Sequence, residues 1–312
     1  MNDKNLALNI GVVGFLALLF FLVSDYHDGI IARILILAIF AMGYNLLFGY
    51  TGLLSLGHAM FFATGMYGYG LSVELWNFSA FEGLLFALVI SFLFSMSIGV
   101  LTLRTKGVAF MIVTLMFSQV FYLVVLLFGE HTGGDEGFVI STHGRTLFGL
   151  NFVDPTSKYF ASLFLFAVVL LGLTLFVRTR TGKCLVAIRE NEERAKMLGY
   201  DVWVHKFIAI IISGVICGLA GASYTLIFGY AGAAFAEVHY SILPLLWVLL
   251  GGAGTLIGPL VGTVFAFYLI DISSGYTSAY LLIVGLVIVL LTLFAPQGLA
   301  GELKRRMAHW LQ

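Results

Sequence analysis

Long apolar runs, each closed by a short polar break, fill most of the chain. Runs bounded by polar residues cover 6–23, 30–48, 84–103, 108–128, 159–177, 207–228 and 279–294. Each approaches the roughly 20 residues that a helix needs to cross about 30 Å of hydrocarbon, so each predicts a membrane-crossing helix. Two further stretches are apolar but interrupted by glycine. One is 49–70, with Gly49, Gly52 and Gly57 near its start; the other is 243–270, whose GGAGTLIGP holds Gly251, Gly252, Gly254 and Gly258. Helix interiors disfavour Gly and Pro, and backbone groups freed at membrane depth must be satisfied by protein or by a wet cavity. Broken segments of this kind belong around a pathway or a tight helix contact. One lies in each half of the chain, an arrangement found in transporters built from paired repeats, although no residue-level repeat accompanies it.

Composition agrees with this pattern. Of 312 residues, 61% are hydrophobic and 10% charged, with a mean hydropathy of +1.04. A soluble domain carries about 25% charged residues, so this chain is expected to be an integral membrane protein. The run after Lys4 imitates a signal peptide but lacks a clear small-residue cleavage site, and is read as a helix. Cys184 and Cys217 stand at no metal-ligand spacing, and neither a disulfide framework nor a metal site is expected.

Net charge is zero, so the position of the charges carries the information. Arg178, Arg180, Lys183, Arg189, Arg194, Lys196 and Lys206 lie in one loop, Lys304, Arg305 and Arg306 at the end, and Arg104 and Lys106 in a short loop. The positive-inside rule makes these regions cytoplasmic. The loop 129–158, with Glu130, Asp135, Glu136 and Asp154 against Arg145 and Lys158, then falls outside. Crossing parity makes the first glycine-rich segment a true crossing and gives the second zero or two crossings, as a re-entrant hairpin or two short helices. The expected fold is all-α and polytopic, a single transmembrane domain over 1–312 with roughly eight to ten membrane segments, some broken or re-entrant.

Within the cytoplasmic loop 178–206, residues 187–198 predict a short amphipathic helix. Ile188, Ala195 and Leu198 share one face, Glu190 and Arg194 are spaced as an i,i+4 pair, and Gly199 stands as a C-terminal stop. A solvated connector is the plain reading of such a loop. The presentation of Ile188, Met197 and Leu198 beside charges suits docking into a groove on another protein.

This segment resembles the coupling helix of ABC importer permeases, and most closely those of the branched-chain amino acid type, in which AIREN followed by a helix ending in Gly is typical. Here the pattern stands as Ala187, Ile188, Arg189, Glu190, Asn191 and Gly199. GYTGLLSLGHAMFFATGMYG from Gly49, TGGDEG from Thr132 and GGAGTLIGPLVG from Gly251 are similar to that family's glycine-rich, outer-loop and C-terminal signatures. The resemblance implies a permease subunit in the inner membrane. It implies a second homologous permease, two cytoplasmic ATPase subunits and an extracytoplasmic solute-binding protein as partners, with no nucleic acid. ATP and Mg2+ are expected in the ATPase subunits and no cofactor in this chain. The sequence agrees, since it has no G-x-x-x-x-G-K-[ST] and its GK pair, Gly182 and Lys183, precedes Cys184. The chain ends at Gln312, soon after its last signature, which is expected to leave no room for a fused ATPase domain. ATP-driven closure of the partners is expected to move 187–198 as a lever on the helix starting near Phe207. TGGDEG is expected to contact the binding protein or gate the outer mouth, or else to be a plain turn.

Polar residues within membrane segments are costly and functional by default. Asn45, Thr51, Ser55, His58, Gln119 and Glu237, with His239, are therefore candidates for the substrate path. A neutral His58 could instead tie together broken backbone, and Ser55 could serve close helix packing. Gln119 stands in TLMFSQVFY, where many members of the family have an acidic residue, a departure that bears on substrate. The expected cargo is a branched-chain amino acid or a similar small polar solute, with urea and short amides also open. Two rival readings remain. An intramembrane protease built on Ser55 and His58 lacks G-x-S-x-G and an evident oxyanion hole; a passive channel or ion-coupled carrier leaves the amphipathic cytoplasmic helix unexplained.

Overall fold

The computed structural model describes residues 3–22, 25–147, 149–277, 279–295 and 297–307. Its helices are α1 (Asp3–Leu19), α2 (Asp25–Asn45), α3 (His58–Trp76), α4 (Ala80–Thr102), α5 (Val108–Leu127), α6 (Gly129–Thr132) and α7 (Pro155–Arg178). They continue as α8 (Arg180–Glu190), α9 (Glu192–Met197), α10 (Val202–Phe228), α11 (Val238–Gly251), α12 (Gly258–Tyr276), α13 (Tyr280–Phe294) and α14 (Gly298–Met307). A π-helical turn, Leu46–Tyr50, ends α2. Among the described residues there are also two ladders of two-residue strands: β1 (Phe138–Val139) pairs with β4 (Tyr230–Ala231), and β2 (Thr146–Leu147) with β3 (Leu150–Asn151).

Every apolar run predicted to cross forms a helix; among the described residues six helices, α2, α4, α5, α7, α10 and α12, are long and apolar enough to span a bilayer, and those of the first and last runs, α1 and α13, are shorter. Three of them, α4, α7 and α10, start ahead of the predicted runs for a common reason. The predicted runs begin at the first apolar residues, whereas the helices begin where a polar side chain accepts from an orphan N–H. Ser79 and Glu82 form a capping box that starts α4 at Ala80, Asp154 caps α7 with Pro155 in its first turn, and Asp201 caps α10. Residues 155–158, assigned to the outer loop, are therefore helical. Val23, the expected end of the first run, lies outside the described residues, as do the side chains of Lys304, Arg305 and Arg306.

At the centre α2 is buried almost throughout, against α7, α10, α11 and α12. Glycine sets the spacing of α3, α4 and α10: a Cβ at Gly65 would strike the carbonyl of Gly218, and one at Gly218 would stand 2.5 Å from Cβ of Ser91. Such small-residue contacts let helices approach closely where lipid offers no hydrophobic drive to associate. The outer faces of α4, α5 and α13 instead expose Phe92, Val120, Leu123 and Leu293.

The helices give the molecule two ends. At the basic end lie α8, α9 and the 103–107 turn; at the far end the segment 129–154 folds over the bundle. There Ile140 N–H donates to Gly229 O at 2.9 Å, and Arg145 Nη2 to Ile227 O at 2.9 Å. Within TGGDEG, Gly133, Gly134 and Gly137 all take left-handed backbone, with φ of 73°, 58° and 70°. Thr132 Oγ1 bonds to Val125 O at 2.6 Å and Tyr230 OH to Glu136 O at 2.9 Å, so the motif is pinned at both sides.

The second glycine-rich stretch forms two helices, α11 and α12, packed together and joined by 252–257. The first begins at Val238, ahead of the predicted 243, and carries Pro244 within it. The expected single helix over 187–198 is broken. Asn191 is extended (φ −161°, ψ 105°), ends α8, and caps α9 by accepting from Arg194 N–H. The break separates Glu190 from Arg194, and that ion pair does not form.

Candidate functional site

The two chain breaks, far apart in sequence, meet at Asn45. Its Nδ2 donates to Thr255 O at 2.8 Å and its Oδ1 accepts from Gly254 N–H at 2.9 Å. One buried amide thus satisfies a donor and an acceptor freed where α11 and α12 part, as backbone at membrane depth requires. Gly49, one turn on, faces Gly254 so closely that a Cβ would lie 2.5 Å from the Gly254 nitrogen. Gly252 and Gly254 have φ of 114° and 78°, which side chains rarely tolerate. Thr255 Oγ1 donates to Gly252 O at 2.7 Å and accepts from Gly258 N–H, starting α12.

Arg189 reaches this junction from α8. Its Nη1 donates to the Gly49 carbonyl, and a Cβ on Gly254 would stand 2.6 Å from the same nitrogen. Gly52, at φ 76°, leaves room for the Arg189 stem. Arg189 is thus the residue of α8 whose charged group touches both breaks. Beneath it Ile188 is buried with Cys184, Ala195 and Val202. This corrects the expected apolar face: Met197 and Leu198 stand exposed, at 85% and 75%, but Ile188 is not presented to a partner. Ala187 is half-buried, and Glu190 and Asn191 are exposed. Gly199, at φ 85°, ends α9 as expected, with Tyr200 N–H returning to Ala195 O at 3.2 Å.

The α9 helix is tied to α10 by charge. Glu192 meets Lys206 at 2.6 Å and Lys196 at 3.3 Å, and Lys196 also meets Glu193 at 2.9 Å. Partial burial works to raise the Glu192 pKa, but Lys206 and Lys196 together outweigh it and hold the carboxyl below its ordinary value. Between these helices, the first break and the 103–108 turn opens a cavity of about 780 Å³, with Thr51, Leu54, Lys106, Arg189, Glu192 and Trp203 in its wall.

Apart from Thr51, the other candidate path residues lie elsewhere. Tyr44 OH donates to Ser55 O at 3.0 Å, and Gly57 N–H to Ser55 Oγ at 3.3 Å. A Cβ at Gly57 would strike the Thr114 carbonyl. His58 Nε2 lies 3.0 Å from Ser213 Oγ, and Ser213 gives its proton to Gly43 O at 2.6 Å. That assignment makes His58 the donor through Nε2, leaving Nδ1 bare and without a partner. Ser55 and His58 therefore direct their bonds away from each other. Thr51 Oγ1 bonds to Leu46 O at 3.0 Å. Gln119 is half-buried on α5, Glu237 is half-buried at the start of α11, and His239 is exposed. Asn45 and Thr51 thus sit near Arg189, Ser55 and His58 in the packed interior, and Glu237 toward the far end.

Sequence reasoning missed Arg33, an ionised residue inside an apolar run, which its cost alone should have flagged. It also missed Ser213, Ser241 and Thr255. Ser241 accepts from Ala59 N–H at 2.9 Å and so starts α3, but a serine in an apolar helix gives no such local signal. Among the described residues, no group of His, Cys, Asp and Glu is placed to hold a metal ion.

Residues 26–295 match the profile of a family described as branched-chain amino acid transport system / permease component. The chain is similar to the high-affinity branched-chain amino acid transport system permease protein LivM of Salmonella typhimurium, 28% identical over 302 residues, covering 89% of this chain and 71% of that one. The LivM protein of Escherichia coli is 29% identical over 307 residues with the same coverage. A probable branched-chain amino acid transport permease protein LivM of Methanocaldococcus jannaschii is 30% identical over 156 residues, 45% of each chain. No solved structure matches.

Proposed function

The chain belongs to the branched-chain amino acid transport permease family, and from that premise we propose how it works as the permease subunit of an ATP-driven importer. It is a multi-pass inner-membrane protein and a transport component rather than an enzyme. Ten segments cross, namely α1 to α5, α7 and α10 to α13, with both termini and the basic end in the cytoplasm. The partners are a second homologous permease, two cytoplasmic ATPase subunits that bind ATP and Mg2+, and an extracytoplasmic binding protein. This chain binds no cofactor. Branched-chain amino acids are the cargo.

The observation that carries the coupling mechanism is the contact of Arg189 with Gly49 beside Gly254. The ATPase grips the exposed Met197 and Leu198, α8 and α9 move as one body on their small buried cluster, and Arg189 transmits the motion to both broken segments together. Asn45 makes those segments move as a unit. The 780 Å³ cavity is the cytoplasmic exit in this arrangement.

Affinity purification of the detergent-solubilised chain from its native membrane tests the assembly. Recovery of ATPase subunits and a second permease supports it. A lone chain, in a preparation that preserves other ABC complexes, favours a passive carrier.

A further inference from the structure

Basic residues crowd one end of this chain, yet Arg33 lies toward the other, within a crossing helix. It stands six residues into the apolar stretch His27–Tyr50, about 9 Å along the axis at 1.5 Å per residue. Its guanidinium lies 5.3 Å from the ring centroid of Phe228, at the far end of α10. Lys158, in the first turn of α7, lies in the field of Arg33 and Arg145, opposed by Asp154. Neither Arg33 nor Lys158 has a carboxylate within ion-pair distance among the described residues. A cation such as Arg33 inside a crossing segment is costly without a counter-ion.

Both line one cavity of about 550 Å³ between α2, α7, α10 and α12. Phe228, Phe267 and Ile270 give it apolar walls, and Asp271 places a single carboxylate on the α12 side. We propose that this cavity is a phospholipid headgroup site. Arg33 and Lys158 hold the phosphate through charge-assisted hydrogen bonds, Asp271 faces an ethanolamine ammonium, and the apolar walls take the chain-bearing part of the lipid. A free phosphate shares the anion chemistry but has no use for those walls. The site is separate from the Arg189 junction and does not depend on the transport reading.

Native mass spectrometry of the detergent-purified full chain tests this with phosphatidylethanolamine, phosphatidylglycerol and inorganic phosphate as probes. Arg33→Gln and Lys158→Gln should each retain phosphatidylethanolamine at least about fivefold less than wild type, as expected on losing one charge-assisted contact, while Arg33→Lys retains it. Asp271→Asn should weaken retention of phosphatidylethanolamine but not of phosphatidylglycerol. Excess inorganic phosphate should leave the lipid in place; if it displaces the lipid and binds instead, the lipid assignment falls. Wild-type retention by both Gln variants, or by Lys158→Gln alone should Arg33→Gln fail to fold, overturns the site.

Discussion

The guanidinium of Arg189 donates to the carbonyl of Gly49, so a helix at the basic end holds the point where α2 unwinds. A charge-assisted hydrogen bond of this kind contributes about 1.5–3 kcal/mol. Removing it by Arg189→Ala is expected to lower uptake about 10- to 100-fold in the reconstituted transporter while ATP hydrolysis continues. Arg189→Lys keeps the charge but not the fork, and should recover only part of the uptake. Parallel assays of hydrolysis and uptake check this; equal loss of both would place Arg189 in assembly rather than transmission.

Asn45→Ala strands the Gly254 N–H and the Thr255 carbonyl in a partly buried site, at up to about 1–3 kcal/mol for each unsatisfied group. Asn45→Asp keeps the acceptor for Gly254 but loses the donor and adds charge. Both should lower the midpoint of thermal unfolding in detergent, and an unchanged midpoint for Asn45→Ala would show that the breaks are held together by other contacts.

Two glycines in helix interiors should respond oppositely to alanine. At Gly65 the added methyl meets the Gly218 backbone, which cannot yield cheaply, whereas at Gly172 nothing lies within 4 Å. Gly65→Ala is expected to cost stability, and Gly172→Ala to be neutral or to gain about 0.5–1 kcal/mol from helix propensity. Comparison of unfolding midpoints separates close packing from a general aversion to substitution.

Ser55→Ala removes an acceptor whose hydrogen bond to Gly57 N–H is 3.3 Å long. Uptake is expected to fall less than about fivefold, within the range of one weak neutral hydrogen bond. Complete loss with normal membrane insertion would reopen a chemical role for the hydroxyl.

The Glu192 pKa lies below its unfolded value, so its contribution to stability is present above the ordinary glutamate pKa near 4.3 and is lost as pH falls through the depressed folded value. Wild type should therefore exceed Glu192→Gln in thermal stability at neutral pH, and the gap should close in acid. Because the pair is partly exposed, salt should also narrow the gap. A gap independent of pH would assign the effect of the substitution to packing.

Local patterns carried much of this fold. The seven apolar runs became helices because burial in hydrocarbon demands length and hydropathy, both written along the chain. The break at Asn191 was also legible: Asn followed by Glu192 and Glu193 is an N-cap with acids in the first turn, yet the apolar spacing of Ile188 and Ala195 concealed it. The union of the two glycine-rich segments was not legible. It depends on one amide reaching a link about 210 residues away, and no periodicity records a contact of that range. Likewise the glycines of 49–70 and 243–270 marked where the chain breaks, but not that Gly49 and Gly254 face one another under Arg189.

The 27-residue α10 helix is fastened at both extremities. Lys206 ties its first turns to Glu192, while Arg145 and the β1–β4 ladder tie its last residues to the segment that holds TGGDEG. At 1.5 Å per residue it spans about 40 Å, the thickness of a bilayer with its interfaces. A tie rod of that length leaves the two sides of the membrane little mechanical independence. A ligand at the far loop whose affinity depends on the position of α9 would, by reciprocity, shift that position by the same free energy.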